Sequence, residues 1–238
     1  MKPVPILMYH NIAVAPQGVR LRGLYVSPRR FARQMALLHW LGYRGLSMSA
    51  ALPYLRGERQ GKVAVITLDD GYRDNLEYAL PVLLHYGYTA TCYVVSAAIG
   101  TDNHWDAQQL GIHKPLMNLN ELCRWRDAGM EIGSHSRHHP LLPELDDAEL
   151  DDEVAGSRRE LEERLMVPVT QFCYPYGAAG LREQEAARRA GFVAAVTVRR
   201  GRAQPSGNLF DMPRVMVGGH HAPHVFPLQL LTTHEDHH

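Results

Sequence analysis

Two short segments contain side chains that could together bind a metal ion and activate a water molecule. Residues 67–71, Thr-Leu-Asp-Asp-Gly, place Asp69 and Asp70 side by side after an apolar run. That run predicts a buried parallel strand, in which neighbouring side chains point to opposite faces. Both carboxylates can therefore face one pocket only where the strand ends and the backbone turns at Gly71.

The second segment, residues 135–139, offers two imidazoles four positions apart. On one helical turn His135 and His139 would share a face, and one aspartate would complete a three-ligand set with a position open for water. Alone, Asp-Asp-Gly is a common turn, and a chain with 14 histidines places two at this spacing by accident. Both segments follow strand candidates, however, and strand carboxyl ends carry the sites of α/β folds. We therefore predict a metal-dependent hydrolase, with the other aspartate free to act as a base.

Strand and helix signals alternate along the chain. Ser27 and Pro28 predict the start of a helix whose apolar stripe is Phe31, Met35 and Leu38. Further predicted elements are strands at 62–68, 89–95, 130–132, 170–174 and 192–197, and helices at 75–86, 119–128, 146–166 and 181–190. Residues 96–117 show no clear periodicity. The alternation predicts an α/β fold in which helices cover parallel strands.

Length and composition fit a single enzyme domain. The 238 residues suit one barrel-sized unit and contain no internal repeat. Lys plus Arg and Asp plus Glu balance at 25 each, so no net charge attracts nucleic acid or an anionic membrane. No segment reaches the roughly 18 apolar residues of a membrane span. We therefore expect a neutral substrate, no nucleic-acid partner and no membrane span.

Cysteine usage and the first residues indicate the compartment. Cys92, Cys123 and Cys173 are odd in number and lack CxxC spacing, so neither a disulfide framework nor a zinc finger is predicted. The first residues lack the apolar segment of about 7–15 residues found in a signal peptide. We therefore expect a cytoplasmic protein in preference to a periplasmic or extracellular one.

Three motifs resemble those of the polysaccharide deacetylases, carbohydrate esterase family 4. Residues 67–71 resemble the first motif, Thr-Phe-Asp-Asp-Gly, with Leu68 in place of Phe. Residues 135–140 resemble the second, His-Ser/Thr-x-x-His-Pro, and residues 172–177, Phe-Cys-Tyr-Pro-Tyr-Gly, resemble the third, whose core is Pro-Tyr-Gly. The order and spacing match the family, and the similarity runs from about residue 3 to residue 217.

The sequence also departs from the family pattern. It lacks the Arg that normally precedes the Pro of the third motif, and it has no clear match to the fourth motif, an Asp and Trp arrangement. The last motif, a strand ending in Leu-x-His, lies at the N-terminus in a branch that acts on poly-N-acetylglucosamine exopolysaccharides. Residues 5–11 resemble that permuted version and end near His10. His220 is the alternative, but we prefer His10 because its strand is cleaner and no two-glycine break intervenes.

The resemblance implies a fold, a domain division and a cofactor. The fold is a distorted (β/α) barrel of seven or eight mostly parallel strands in a single domain. Residues 1–217 form the catalytic domain, and residues 218–238 form a His-rich tail that we expect to be mobile, as termini often are. The implied cofactor is a divalent metal, with Zn²⁺ expected and Co²⁺, Ni²⁺ or Fe²⁺ also suited to two histidines and a carboxylate.

The resemblance also implies roles for individual residues. The metal ligands would be Asp70, His135 and His139, with His138 as the alternative to His139. Asp69 would act as general base and His10 would protonate the departing amine.

Four further residues are site candidates. The backbone N–H of Tyr176, next to Pro175, would stabilise the oxyanion. Arg214 is the candidate to replace the missing Arg and orient Asp69, although a surface position explains an arginine as readily. Trp105 and Tyr176 could offer aromatic faces to a sugar ring, although core packing explains both nearly as well.

The expected function is removal of N-acetyl groups from a glycan that contains N-acetylglucosamine, either a polymer or a lipid-linked glycan. Two alternatives remain: an O-acetyl esterase or small-amide deacetylase on the same scaffold, and an inactive glycan-binding member. The second alternative is disfavoured because a dead site has no need of a full ligand set and a base. The expected partner is an acetylated glycan substrate.

Overall fold

The computed structural model describes residues 2–222, 224–232 and 234–236. Its eight strands are β1 (Ile6–Tyr9), β2 (Arg44–Leu46), β3 (Val63–Leu68), β4 (Thr91–Val94), β5 (Glu131–Ser134), β6 (Gln171–Cys173), β7 (Ala194–Arg200) and β8 (Met212–Met216). Seven of them close into a barrel in the order β1-β3-β4-β5-β6-β7-β8, and β8 pairs back onto β1. All pairings are parallel, and β2 adds to β3 as an extra strand. The α/β barrel prediction is confirmed.

Strand β3 illustrates how the barrel buries both faces of its strands. All six of its residues are buried, and the run has no polar alternation because helices cover the outside and side chains fill the inside. Val65 belongs to the interior cluster, whereas Ile66 packs in the layer between the barrel and the helices. Thr67 and Asp69 are in phase with Val65, so the strand directs them into the barrel.

Nine helices lie in the described part of the chain. They are α1 (Pro28–Trp40), α2 (Met48–Leu55), α3 (Leu80–His85), α4 (His104–Leu110), α5 (Leu119–Asp127), α6 (Asp147–Asp151), α7 (Ser157–Leu165), α8 (Leu181–Arg189) and α9 (Val225–Leu231). Helix α1 begins as predicted, with the Ser27 side chain accepting from the N–H of Arg30 and with Phe31, Met35 and Leu38 buried. The described helices include none long and apolar enough to cross a membrane.

Four elements were not predicted: β2, α2, α4 and α9. Strand β2 is only three residues long, and Pro53 lies inside α2, so neither carries a strong periodic signal. Helix α2 nevertheless has a clear role, because its Met48, Ala51 and Leu55 pack into the interior cluster. The long helix predicted over 146–166 is also interrupted, since a π-helical turn at Asp152–Gly156 separates α6 from α7.

The C-terminal residues differ from the mobile tail expected. Helix α9 packs onto the barrel through Phe226 and Leu230, which are buried in the outer cluster. Gln229 donates a hydrogen bond to the carbonyl of Met216 (3.0 Å), and Arg200 forms an ion pair with the buried Glu235 (2.7 Å). Of this tail, Pro223, Thr233, His237 and His238 lie outside the described residues.

Candidate metal centre and active site

The candidate site lies at the carboxyl ends of the barrel strands. His10 follows β1, Asp69 and Asp70 follow β3, and His135 follows β5. Residues far apart in the sequence meet there because all strands run parallel and end at one face, as in other (β/α) barrels. Arg214 reaches the same place from within β8.

Three buried side chains converge at this face. The Oδ1 atom of Asp70 lies 3.5 Å from Nε2 of His135 and 3.7 Å from Nε2 of His139, and the candidate ligand atoms all lie within 4.8 Å of one another. Nδ1 of His135 is 2.7 Å from the carbonyl oxygen of Cys173, and donation of its proton there leaves the lone pair on Nε2. Two imidazoles and a carboxylate arranged in this way fit a divalent cation.

The electrostatics of the three groups agree with this use. The pKa of the buried His139 is lowered to about 3, first by burial and then by the charge of His135, so its imidazole is neutral. Burial raises the pKa of Asp70, but its hydrogen bond with His135 and the nearby histidine charges more than offset this and keep the carboxyl ionised. His135 has a raised pKa despite burial, through Cys173 and the Asp70 carboxylate, so a cation would displace its proton.

The two histidines do not share a helical turn, contrary to the prediction. Residues 135–139 form a loop after β5, which we call the histidine loop, and Ser136 and His139 have left-handed φ angles of 63° and 62°. Asp70 is also left-handed, with φ 71°, and this turn accounts for adjacent carboxylates at one site. Such conformations cost about 1–3 kcal/mol each and persist where surrounding structure imposes them.

Asp69 is held by a buried arginine. Nη1 and Nη2 of Arg214 donate to the two carboxylate oxygens of Asp69 at 2.8 and 2.7 Å, while Nε donates to the carbonyl of Thr197 (2.8 Å) and Nη1 to Oγ1 of Thr67 (3.1 Å). Nη2 also lies 3.3 Å from Sγ of Cys173. Burial raises the pKa of Asp69, but the Arg214 charge and the His10 charge outweigh it and hold the carboxyl ionised.

The structure distinguishes His10 from its alternative His220, and His139 from its alternative His138. Nε2 of His10 lies 3.7 Å from Oδ2 of Asp69, whereas His220 is exposed and its ring contacts that of His221 (4.3 Å between centroids). Nδ1 of His138 lies 2.6 Å from Oε1 of Glu153, and in the described contacts its ring does not join the Asp70 cluster. His10 and His139 are therefore the ones brought to the site.

Aromatic side chains cover the cluster. Trp105 stacks on His139 (5.0 Å between centroids, 22° between planes), and Tyr176 meets the same ring at 4.5 Å and 76°. The Tyr176 hydroxyl donates to Oδ1 of Asp106 (3.2 Å), and Tyr176, which follows the buried Pro175, is left-handed with φ 57°. Sequence reasoning missed Asp106, although its position beside Trp105 was a usable signal.

Comparison with known proteins agrees with the class that the fold and site define, a parallel barrel with a metal-ligand set at its carboxyl face. Residues 56–195 match the family model described as polysaccharide deacetylase. The chain is 31% identical over 216 residues to YxkH of Bacillus subtilis (strain 168), itself provisionally named a polysaccharide deacetylase, with 90% of this chain and 71% of YxkH covered. The chain therefore belongs to the polysaccharide deacetylase family, whose members are hydrolases.

Solved structures share the fold. The deacetylase PplD of Streptococcus pyogenes, solved in complex with acetate, has a TM-score of 0.81 at 24% identity, with 96% of this chain and 98% of PplD covered. IcaB from Ammonifex degensii has a TM-score of 0.81 at 22% identity, covering 96% and 95%. A de-N-acetylase from Aggregatibacter actinomycetemcomitans has a TM-score of 0.73 at 16% identity, covering 93% and 97%. The likeness to IcaB agrees with the permuted branch expected from the sequence.

Proposed function

We propose that this protein is a metal-dependent deacetylase that removes N-acetyl groups from glycans containing N-acetylglucosamine, with poly-N-acetylglucosamine exopolysaccharide as the expected polymer. One observation carries the proposal: a complete ligand set, Asp70, His135 and His139, lies beside a second ionised carboxylate, Asp69, that has its own arginine. Family membership supports deacetylation, and the fold shared with a de-N-acetylase supports an amide substrate.

The ligand set would hold a divalent cation, with Zn²⁺ proposed. When bound, such a cation supplies Lewis-acid polarisation of the acetyl carbonyl and lowers the pKa of a water molecule. Asp70 contributes the one negative charge of the set, and the carbonyl of Cys173 fixes the tautomer of His135. Burial keeps His139 neutral by lowering its pKa, and the rings of Trp105 and Tyr176 lie against its imidazole.

Asp69 and His10 divide the proton transfers. Asp69 takes a proton from the attacking water as general base, and the two bonds from Arg214 hold its carboxylate ionised and oriented. His10, whose Nε2 atom lies 3.7 Å from Oδ2 of Asp69, gives a proton to the sugar nitrogen as the carbon–nitrogen bond breaks. The products are acetate and a glucosamine residue, and the N–H of Tyr176 is proposed to stabilise the oxyanion on the way.

The test is acetate release from chito-oligosaccharides by protein that has been stripped of metal and then resupplied with Zn²⁺ or Co²⁺. We expect release that depends on the added metal and is abolished in Asp69→Asn. Bound metal without release would contradict N-deacetylation and favour an O-acetyl ester or small-amide substrate, which acetylated xylan and a panel of small acetamides would then test.

A further inference from the structure

The histidine loop depends on partners outside itself. Two of its five residues, Ser136 and His139, are left-handed without being glycine, a conformation that costs free energy and persists where surrounding contacts impose it. Its carbonyls at Ser136 and Arg137 accept hydrogen bonds from the N–H groups of Ser96 (3.1 Å) and Ala97 (3.0 Å). Within the loop, the N–H of His139 donates to Oγ of Ser136 (3.0 Å). The N–H groups of Arg137 and His138 pair with a side chain from outside the loop.

The side chain of Glu153 accepts hydrogen bonds from both of these N–H groups. Its Oε2 atom receives the N–H of Arg137 at 2.9 Å and the N–H of His138 at 3.0 Å, and its Oε1 atom lies 2.6 Å from Nδ1 of His138. Glu153 is only 8% exposed, and a carboxylate is buried at low cost only when it is fully hydrogen-bonded. Bonds from backbone N–H groups to a carboxylate are among the stronger ones in proteins.

The helix that carries Glu153 is shaped for this contact. Glu153 lies in the π-helical turn Asp152–Gly156, and such turns are frequent at functional sites. Three residues on, a Cβ atom at Gly156 would lie 2.7 Å from Cδ of Arg137. Glycine at this position therefore lets the helix approach the histidine loop closely.

We propose that Glu153 is a positioning residue that holds the histidine loop through its backbone and thereby sets the affinity and geometry of the metal site. The inference rests on the proposed function, in which His135 and His139 are ligands. Glu153 bonds neither of those imidazoles among the described contacts, so it acts through the loop. It also gives His138 a role, since its ring completes the anchor on Glu153.

The test compares Glu153→Ala and Glu153→Gln with Glu160→Gln as matched control. Glu160 lies on α7 and accepts from the side chains of Arg137 (2.8 Å) and Ser96 (2.5 Å) rather than from the loop backbone. Zn²⁺ affinity is measured by competition with a chromophoric chelator, and ligand geometry by the visible spectrum of the Co²⁺-substituted protein. Glu153→Ala should bind Zn²⁺ about tenfold or more weakly, as expected for loss of a residue behind a metal ligand, with an altered Co²⁺ spectrum.

Glu153→Gln should show a smaller loss of affinity, because the amide keeps one acceptor oxygen for the two N–H groups. The Glu153→Gln variant also keeps the comparison with Glu160→Gln valid if Glu153→Ala fails to fold. Glu160→Gln should match the wild type in both measurements. Wild-type affinity and spectrum in both Glu153 variants, or an equal loss in Glu160→Gln, would overturn the anchoring role alone. Wild-type protein that binds no Zn²⁺ would overturn the proposed function and this inference with it.

Discussion

Asp69 and Asp70 are neighbours in the chain, yet their carboxylates have different partners. Asp69 is bound by both Nη atoms of Arg214, whereas Asp70 faces the Nε2 atoms of His135 and His139. The arginine occupies the oxygens of Asp69 on one side and leaves Asp70 as the acid within reach of both imidazoles. Asp69 is therefore assigned as the base because it pairs with a guanidinium, and Asp70 is assigned as the ligand because it faces two imidazoles.

This division predicts different losses in two variants. Asp69→Asn should retain bound metal and lose at least about 100-fold in turnover, because an amide cannot accept the proton of the water. Asp70→Ala should lose the metal as well, since one of three ligands is removed. Metal content by atomic emission and acetate release measure the two effects. Equal metal content and equal loss of activity in both variants would contradict the assignment.

Arg214 is expected to act through Asp69. Arg214→Lys keeps a positive charge but cannot make two parallel bonds to the carboxylate, so we expect turnover to fall about tenfold or more with metal content unchanged. Arg199→Lys is the control, because Arg199 pairs with Asp211 at an exposed position of β7. Wild-type turnover in Arg214→Lys would remove the orienting role.

The two candidate acids can be separated in the same way. His10→Ala should depress turnover far more than metal occupancy, because His10 contacts Asp69 and is outside the ligand cluster of the described residues. His220→Ala should leave both unchanged, since its ring lies exposed against His221. The reverse result would show that the proton donor comes from the C-terminal segment and that β1 has no part in catalysis.

At the scale of elements, the sequence predicted the strands that carry the site and the turn after Asp69 and Asp70, but it missed the conformation of the histidine loop. The apolar run before Asp69 is visible because burial on both faces leaves a continuous apolar signature. The left-handed conformations of Ser136 and His139 are not visible, because contacts from other elements hold the loop in this shape. For that reason the spacing of His135 and His139 suggested a helical turn where the structure has a loop.

Substitution of Gly177, in the turn after β6, would measure how little room this turn leaves for a side chain. Its φ is 69°, and a Cβ atom there would lie 2.4 Å from the backbone nitrogen of Val198. Gly87 is also left-handed but has open space around it, so Gly87→Ala isolates the cost of the backbone conformation, about 1–2 kcal/mol.

Gly177→Ala should lower the free energy of unfolding by clearly more than Gly87→Ala and should reduce activity by displacing Tyr176. Urea denaturation and acetate release provide the measurements. Equal destabilisation by the two substitutions would mean that β7 shifts to make room for the added methyl group without a cost in free energy.

At the scale of the whole molecule, the outer layer was the hardest part to predict. Helix α9 is short, begins within a His-rich segment and contains Pro227, so composition suggested a mobile tail. The buried contacts of Phe226 and Leu230 depend on the surface that the rest of the barrel presents. The position of Arg214 could not be predicted with certainty from the sequence either, because only the closed barrel brings it against Asp69. The missing motif arginine indicated only that some replacement was needed.

The contribution of α9 to stability can be measured with two substitutions in one helix. Phe226→Ala removes a buried ring and should lower the free energy of unfolding by about 3 kcal/mol. Leu231, in the last turn of α9, is 52% exposed, and Leu231→Ala should change stability by about 0.5 kcal/mol or less. Thermal and urea melts measure both, and similar values for the two would mean that α9 is not docked in solution.

The closure of the barrel by β1 and β8, through the pair Leu7 and Val215, has a consequence for the protein as it is being made. Translation runs from the N-terminus, so His10 and Asp69 are synthesised well before Arg214. Until then Asp69 has no guanidinium beside it and the first strand has no final neighbour. The barrel therefore cannot close, and the pair between Asp69 and Arg214 cannot form, before β8 has been synthesised.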